Sequence, residues 1–184
     1  VAALGTEDEA ADEIEAVARA VGARSVRVTQ ADELTLEERN RRLAAAILAE
    51  FARVEPEFGA QLGAQPLARL GPAPAGLPGR AERRRLGETR VVLDGAHVPE
   101  SLVLLLRDLA RDPELVVPPV VVLGLGLEKN AQGMLKALQG GVDRVLCTSV
   151  GEGPYRGADE LAAMARELGL AAHAVPEARA ALDE

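Results

Sequence analysis

Four short apolar runs separated by stretches of helical periodicity, beginning at Arg90, most constrain what this 184-residue chain can fold into. The runs are residues 90–94, 119–123, 143–148 and 170–175. The helical stretches are about 99–111, with Leu102, Leu105, Leu106 and Leu109 on one face, 130–139 behind an Asn130 cap, 157–168 ended by Gly169, and a last one opening at Pro176. Strands alternating with helices leave little choice but right-handed crossovers and helices packed on a sheet. The spacing predicts an α/β fold, a Rossmann-like, doubly wound, mainly parallel sheet. Pro119 to Leu123 is continuously apolar, as strands buried on both faces require. Ligands of such sheets sit at the carboxyl ends of the strands, here residues 94–97, 124–130, 148–156 and Val175.

The first block reads differently. Val1-Ala2-Ala3-Leu4 looks like the end of a strand, and Thr6 with Glu9 forms a capping box for a helix carrying Ala10, Ile14, Val17 and Val21, ended by Gly22. Residues 25–29 alternate like a short strand. Thr35 with Glu38 opens a second helix to about Val54, with Leu36, Leu43, Ile47 and Phe51 on its apolar face. Helix, strand and helix cannot close a sheet of their own. From 55 to 79 the pattern gives way to five prolines (56, 66, 72, 74, 78) and five glycines (59, 63, 71, 76, 79), a connecting segment. The expected division is 1–54, a linker over 55–79, and a domain over 80–184. Val1 in place of Met, and Glu184 inside a helical pattern, make the chain read as a processed, excised or truncated piece.

With 2% aromatic residues, the core must be aliphatic, each fully buried side chain contributing roughly 1.5–3 kcal/mol, and stacking on nucleic-acid bases is disfavoured. A formal net charge of −8 opposes a phosphate backbone, so no nucleic-acid partner is expected. No membrane partner is expected either, since no apolar run approaches the ~20 residues that span a bilayer. The single cysteine, Cys147, forms no intramolecular disulfide and reads as a buried, inert thiol in an apolar strand. A cytoplasmic location follows as the expectation. His97 and His173 lie on different strands with no metal-ligand spacing around them.

The candidate site begins at Leu93-Asp94-Gly95-Ala96-His97-Val98-Pro99, where a strand ends, turns and opens a helix. Asp94 is either a turn aspartate or an acceptor for ribose hydroxyls. His97 is either a loop histidine or a partner for phosphate or carboxylate. Arg80, held by Pro78-Gly79, suits a phosphate through its planar fork of donors, whereas Arg83, Arg84 and Arg85 read as a solvated face. Gly124-Leu125-Gly126 lacks the third glycine of a dinucleotide loop. Lys129 beyond it is a surface lysine or a contact for an anion. Gly151, Gly153, Tyr155 and Arg156 form an exposed loop or a second anion cradle. Nowhere does GxxxxGK[ST] occur, the loop that cradles the β and γ phosphates of ATP.

Leu77-Pro78-Gly79-Arg80-Ala81-Glu82 and Val92-Leu93-Asp94-Gly95-Ala96-His97 resemble the PGRxE and LDGAHNP signatures of folylpolyglutamate synthase and dihydrofolate synthase, of the Mur ligase superfamily. Residues 122–134 and 143–161 are similar to the segments that follow. Val98 stands where that signature has Asn or Thr, and Asn130 where a DKD-type turn has its acid. The resemblance implies the C-terminal glutamate-ligase domain of an ATP-dependent ligase of folate biosynthesis and one-carbon metabolism, preceded over 1–54 by the tail of a central ATPase domain. Such enzymes phosphorylate a carboxylate of a folate or dihydropteroate, and the amine of glutamate then attacks the acyl phosphate. The resemblance implies Arg80 at the ATP phosphates, Asp94 at the ribose, and His97 as the catalytic-site residue near the phosphates or the incoming glutamate; Lys129 joins Arg80 and Asp94 as a candidate nucleotide contact on its position alone. Its cofactors would be ATP and Mg2+, the magnesium ligands lying in the N-terminal ATPase domain that this chain lacks, so that the chain alone is inactive. By the same likeness, the final strand that normally follows the helix at Pro176 is expected to be cut off in this chain. The alternative is a stand-alone nucleotide-binding or interaction module of Rossmann-like fold without catalysis; an oxidoreductase would need a complete GxGxxG.

Overall fold

The computed structural model describes residues 2–4, 9–28, 34–62, 77–115, 118–149, 151 and 153–184. They fall into two compact units, Val1–Ala75 and Gly76–Glu184.

In the first unit, strands β1 (Ala2–Leu4) and β2 (Ser25–Arg27) pair in parallel and helix α1 (Glu9–Ala20) connects them. Arg27 reaches back to Asp12 and Glu15 of α1 at 2.6 and 3.0 Å. Gly22, at φ +69°, ends the turn after α1, a left-handed conformation that costs glycine nothing. Helix α2 (Leu36–Val54) starts with the expected box: Thr35 Oγ1 accepts the Glu38 N–H and Glu38 Oε2 accepts the Thr35 N–H. The Thr6–Glu9 box lies outside the described residues. Helix α3 (Pro56–Leu62) occupies the start of the expected connection, Pro56 being at a first-turn position where a missing N–H is harmless.

The apolar face expected of α1 is not the buried one. Ala11 and Ala18 are buried, whereas Ile14, Val17 and Val21 are exposed, as are Ile47 and Phe51 of α2. Among the described residues, the sheet of this unit consists of two paired three-residue strands.

The second unit opens with an antiparallel hairpin, β3 (Glu82–Leu86) and β4 (Thr89–Leu93), turning at Gly87, whose φ is +60°. Helix α4 (Pro99–Ala110), β5 (Val120–Leu123), α5 (Ala131–Leu138), β6 (Arg144–Ser149), α6 (Ala158–Glu167), β7 (Ala172–Glu177) and α7 (Ala178–Asp183) follow. A three-stranded parallel sheet runs in the order β5-β6-β7. The Rossmann-like α/β character expected from the alternation is present, with one change: the strand expected at 90–94 is β4 (Thr89–Leu93), which pairs with β3 and not with the parallel sheet.

Burial follows strand position. Central β6 is enclosed from Val145 to Thr148, while edge strand β5 exposes Val120 and Val122 and so alternates where burial on both faces was expected. Pro176 lies inside β7 and does not open the last helix; β7 is an edge strand, where a residue without an N–H is tolerated. The Thr148 hydroxyl donates to the Pro176 carbonyl at 3.1 Å, near the register shift between β6 and β7.

The core is aliphatic, as the composition demands. Met134, Leu135 and Leu138 of α5 pack with Leu161, Ala162 and Ala165 of α6, Val145 and Cys147 of β6, and Leu102 and Leu105 of α4. Burial pushes the Cys147 thiol up to about 11, the unreactive state expected of it.

Candidate active-site edge

The strand ends of the second unit converge through backbone contacts. After Leu77 the chain turns, the Arg80 N–H bonding the Leu77 carbonyl at 3.0 Å, with Gly79 at φ +66° and Ala81 at φ +46°. Glu82 closes this turn by accepting the Gly79 N–H at 2.8 Å, and its carboxylate also takes Arg84 Nε at 2.6 Å. Those two contacts, the Gly79 N–H foremost, hold the Glu82 carboxyl below its ordinary range.

The turn after β4 docks onto this one. The Gly95 N–H donates to the Gly79 carbonyl at 2.8 Å. Asp94 Oδ2 accepts the Ala81 N–H and Oδ1 the Ala96 N–H, each at 2.7 Å. Asp94 is therefore a turn aspartate, and that does not exhaust it: a carboxylate offers about four lone-pair sites, and these bonds use two. A Cβ on Gly95 would stand 3.5 Å from the Gly79 oxygen and 3.7 Å from Arg80 Nη1, so the guanidinium lies directly over the turn. Arg80 is exposed and forms no ion pair among the described residues, which leaves its fork available to an anion.

His97 is exposed, with Nδ1 3.1 Å from the Gly95 carbonyl oxygen. Since a carbonyl only accepts, the contact requires Nδ1–H and leaves Nε2 as the free ring nitrogen. Val98 occupies the N-cap of α4 without a side-chain cap, so the first N–H groups of that helix keep their partial positive charge unsatisfied. The start of α5 lies alongside. A Cβ on Gly133 would come within 2.7 Å of Pro99 Cγ, and Asn130 Oδ1 accepts the Gly133 N–H at 2.9 Å. Two helix N-termini thus flank the histidine turn.

Lys129, just before Asn130, pairs with Glu128 at 3.2 Å. Its loop is tied to the segment after β6 by Leu127 N–H to the Pro154 carbonyl at 2.7 Å, Arg156 N–H to the Leu125 carbonyl at 2.9 Å, and the bridge between Gly126 and Tyr155. The Arg156 guanidinium is engaged by Glu160 at 2.5 Å and the Leu127 carbonyl at 3.2 Å. It clamps the two loops together, a role that the sequence reading missed although Arg156 and Glu160 stand four residues apart at a helix start, a recognisable pair.

Arg80, Asp94 and His97 are thus brought into one continuous surface by the docking of their two turns, and α5, which begins just after Lys129 and Asn130, joins it through Pro99. Among the described residues no group of three or more His, Cys, Asp or Glu side chains could hold a metal ion. Among the same residues no helix is long and apolar enough to cross a membrane.

Comparison with known proteins accords with this arrangement. The family described as "Mur ligase, glutamate ligase domain" matches residues 79–184. A folylpolyglutamate synthase from Mycobacterium tuberculosis, solved with ADP and AMPPCP, is 26% identical with a TM-score of 0.73, over 98% of this chain and 46% of that one. A bifunctional folylpolyglutamate synthase/dihydrofolate synthase with Mn, AMPPNP and L-glutamate bound is 22% identical with a TM-score of 0.74, over 98% of this chain and 46% of that one. The folylpolyglutamate synthase of Thermotoga maritima is 21% identical with a TM-score of 0.65, over 97% and 47%. The last two likenesses are of fold. A search of the curated proteins found no match. The chain spans about half the length of the solved proteins it resembles. With a matched segment that starts at Gly79, before the arginine turn, and continues through every strand end at this edge, the chain belongs to the Mur ligase family, in its glutamate ligase domain.

Proposed function

We propose that this chain supplies the glutamate-ligase part of an ATP-dependent ligase of the folylpolyglutamate or dihydrofolate synthase type. In that reaction the γ-phosphoryl group passes to a carboxylate oxygen of a folate or dihydropteroate and ADP leaves. The glutamate amine then attacks the acyl carbon, the amide forms and phosphate departs. Residues 80–184 are the ligase domain, 55–79 the connection, and 1–54 the tail of a central ATPase domain that carries the P-loop elsewhere in the parent protein. The working location is the cytoplasm.

The single observation that carries the reading is the docking of the Arg80 turn onto the Asp94–His97 turn inside the matched family segment. The free Arg80 fork above Gly95 suits a phosphate. The spare lone pairs of Asp94 suit ribose hydroxyls, and His97 Nε2, beside uncapped helix N–H groups, suits an anionic reactant. Lys129 supplies a further cation once its pairing with Glu128 opens. The relatives solved with ADP, AMPPCP or AMPPNP support a nucleotide, and the one solved with L-glutamate supports that substrate. Mg2+ is assigned to the ATPase domain, as the family resemblance implies, and no step here is routed through it.

The test is ADP formation from ATP, Mg2+, glutamate and a folate or dihydropteroate. The 184-residue chain alone should form none above background. The same chain joined to a P-loop ATPase portion should form ADP and the glutamyl amide, and Arg80→Gln there should raise KM for ATP about tenfold. Turnover by the chain alone would overturn the division of labour. Nucleotide binding without ligation in the joined protein would instead mark a non-catalytic nucleotide-binding module.

A further inference from the structure

One face of the hairpin carries three arginines. In the antiparallel register Arg85 stands opposite Arg90 and Arg83 opposite Val92. Residues two apart on a strand share a face, so Arg83, Arg85 and Arg90 project to the same side. That side faces the turn after α4. Asp112 takes the Arg83 guanidinium, while Arg90 donates to the Glu114 carbonyl oxygen and stands 3.7 Å from its carboxylate. Arg84, on the opposite face, pairs with Glu82. Arg85 alone of the four has no ion-pair partner among the described residues.

Like charges directly opposite one another across a ladder are destabilising, yet Arg85 and Arg90 occupy that relation in a chain with 29 acidic residues against 21 basic ones. Between hairpin and turn lies a groove of about 450 Å3, lined by Arg83, Arg84, Arg85, Arg90, Val91, Val92, Glu114 and Leu115. We propose that this groove binds a small oxyanion, carboxylate or phosphate, held between the guanidinium groups of Arg85 and Arg90. The planar fork of arginine matches two coplanar oxygens, and an anion there removes the cross-strand repulsion. The site is separate from the nucleotide edge. The Arg85–Arg90 rung is three rungs beyond the Glu82–Leu93 rung that borders Asp94, about 10 Å along the strand.

The experiment is an amide NMR titration of the 184-residue chain with inorganic phosphate and, separately, with glutarate. Saturable shifts are expected at residues 83–85, 89–92 and 112–115, weakening as salt is raised. Arg85→Gln should weaken binding tenfold or more and Arg90→Gln likewise, while Arg19→Gln, in the other unit, should leave it unchanged. The two hairpin variants cover for each other should one fail to fold. Saturation by phosphate alone assigns a phosphorylated ligand and by glutarate alone a carboxylate; either supports the site. Absence of saturable shifts with both anions, unchanged affinity in Arg85→Gln, or equal weakening in Arg19→Gln overturns it. The readout is binding at the hairpin, so its failure leaves the proposed ligation untouched.

Discussion

Asp94 accepts, through Oδ2 and at 2.7 Å, the backbone N–H of Ala81, the only described non-glycine residue with a positive φ. Its other oxygen holds the Ala96 N–H. One carboxylate thus joins the strained bend that follows Arg80 to the turn that precedes His97. A residue whose type suggests ligand binding is also the tie that brings two candidate ligand contacts together.

Removing this carboxylate should cost stability before it costs chemistry. Losing a hydrogen bond to a charged group costs about 1.5–3 kcal/mol, less where water can replace the partner, as at half-buried Asp94. Asp94→Ala is expected to lower the unfolding free energy by about 2 kcal/mol, and Asp94→Asn, which keeps one acceptor oxygen, by about half as much. Urea midpoints of the three proteins check this. An Asp94→Ala midpoint equal to the parent's would mean that the loops are held otherwise. Arg80→Gln, which removes a cation but no tie, is the cleaner probe of nucleotide binding.

Ala81 is the reciprocal case. At φ +46° its Cβ crowds the backbone, a strain of roughly 1–2 kcal/mol in the left-handed region, while glycine adds roughly 0.4–1 kcal/mol of unfolded-state entropy. Ala81→Gly should therefore stabilise the protein by about 0.5–1 kcal/mol, and Ala81→Val should destabilise it. Thermal unfolding of both variants decides the sign; a lower Tm for Ala81→Gly would contradict the strain.

How much of this could be read from the chain depends on whether the signal is local. The Thr35–Glu38 box, the Asn130 cap and Gly169 each act within a few residues, and each stands where its pattern indicates. Strand β3 was not legible because Glu82, Arg83, Arg84, Arg85 and Leu86 show no apolar alternation; their partner is supplied by β4 across the Gly87 turn. The same pairing removes β4 from the parallel sheet. Pro176 reads as a helix start, but an open edge tolerates it within β7. At the site, residue types identified Arg80, Asp94 and His97. The ties of Ala81 to Asp94 and of Leu127 to Pro154 are backbone contacts between distant segments, for which composition and periodicity carry no signal.

The depressed carboxyls set the acid limb of stability. Glu82 is held below its ordinary value near 4.5 first by the Gly79 N–H and then by Arg84, and Glu38 by the N–H and hydroxyl of Thr35. A carboxyl lowered in the folded state contributes stability that is complete above the unfolded value and is lost as pH falls through the folded one. Tm should therefore hold from neutrality to about pH 5 and then decline through the carboxylate range. Glu82→Gln should show a shallower decline between pH 5 and 3 than the parent. Parallel Tm–pH curves would show that Glu82 carries no such linkage.

Gly133 tests whether the two helix N-termini beside His97 must touch. A Cβ there would stand 2.7 Å from Pro99 Cγ and 2.6 Å from Asn130 Nδ2. Asn130 can swing away at the cost of its cap on the Gly133 N–H, but the proline ring has no such freedom. Gly133→Ala should therefore push α4 from α5 and cost about 1–3 kcal/mol, the usual range for overpacking, despite the better helix propensity of alanine. Gly157, at the N-cap of α6 with φ −66° and nothing within 4 Å of its Cβ position, is the matched control; Gly157→Ala loses at most the modest N-cap preference of glycine over alanine, within about 1 kcal/mol. Urea unfolding ranks the two, and amide shifts at residues 96–100 report whether the histidine turn moves with α4. Equal stability of Gly133→Ala and the parent, with those shifts unmoved, would show that the helix contact does not position the site.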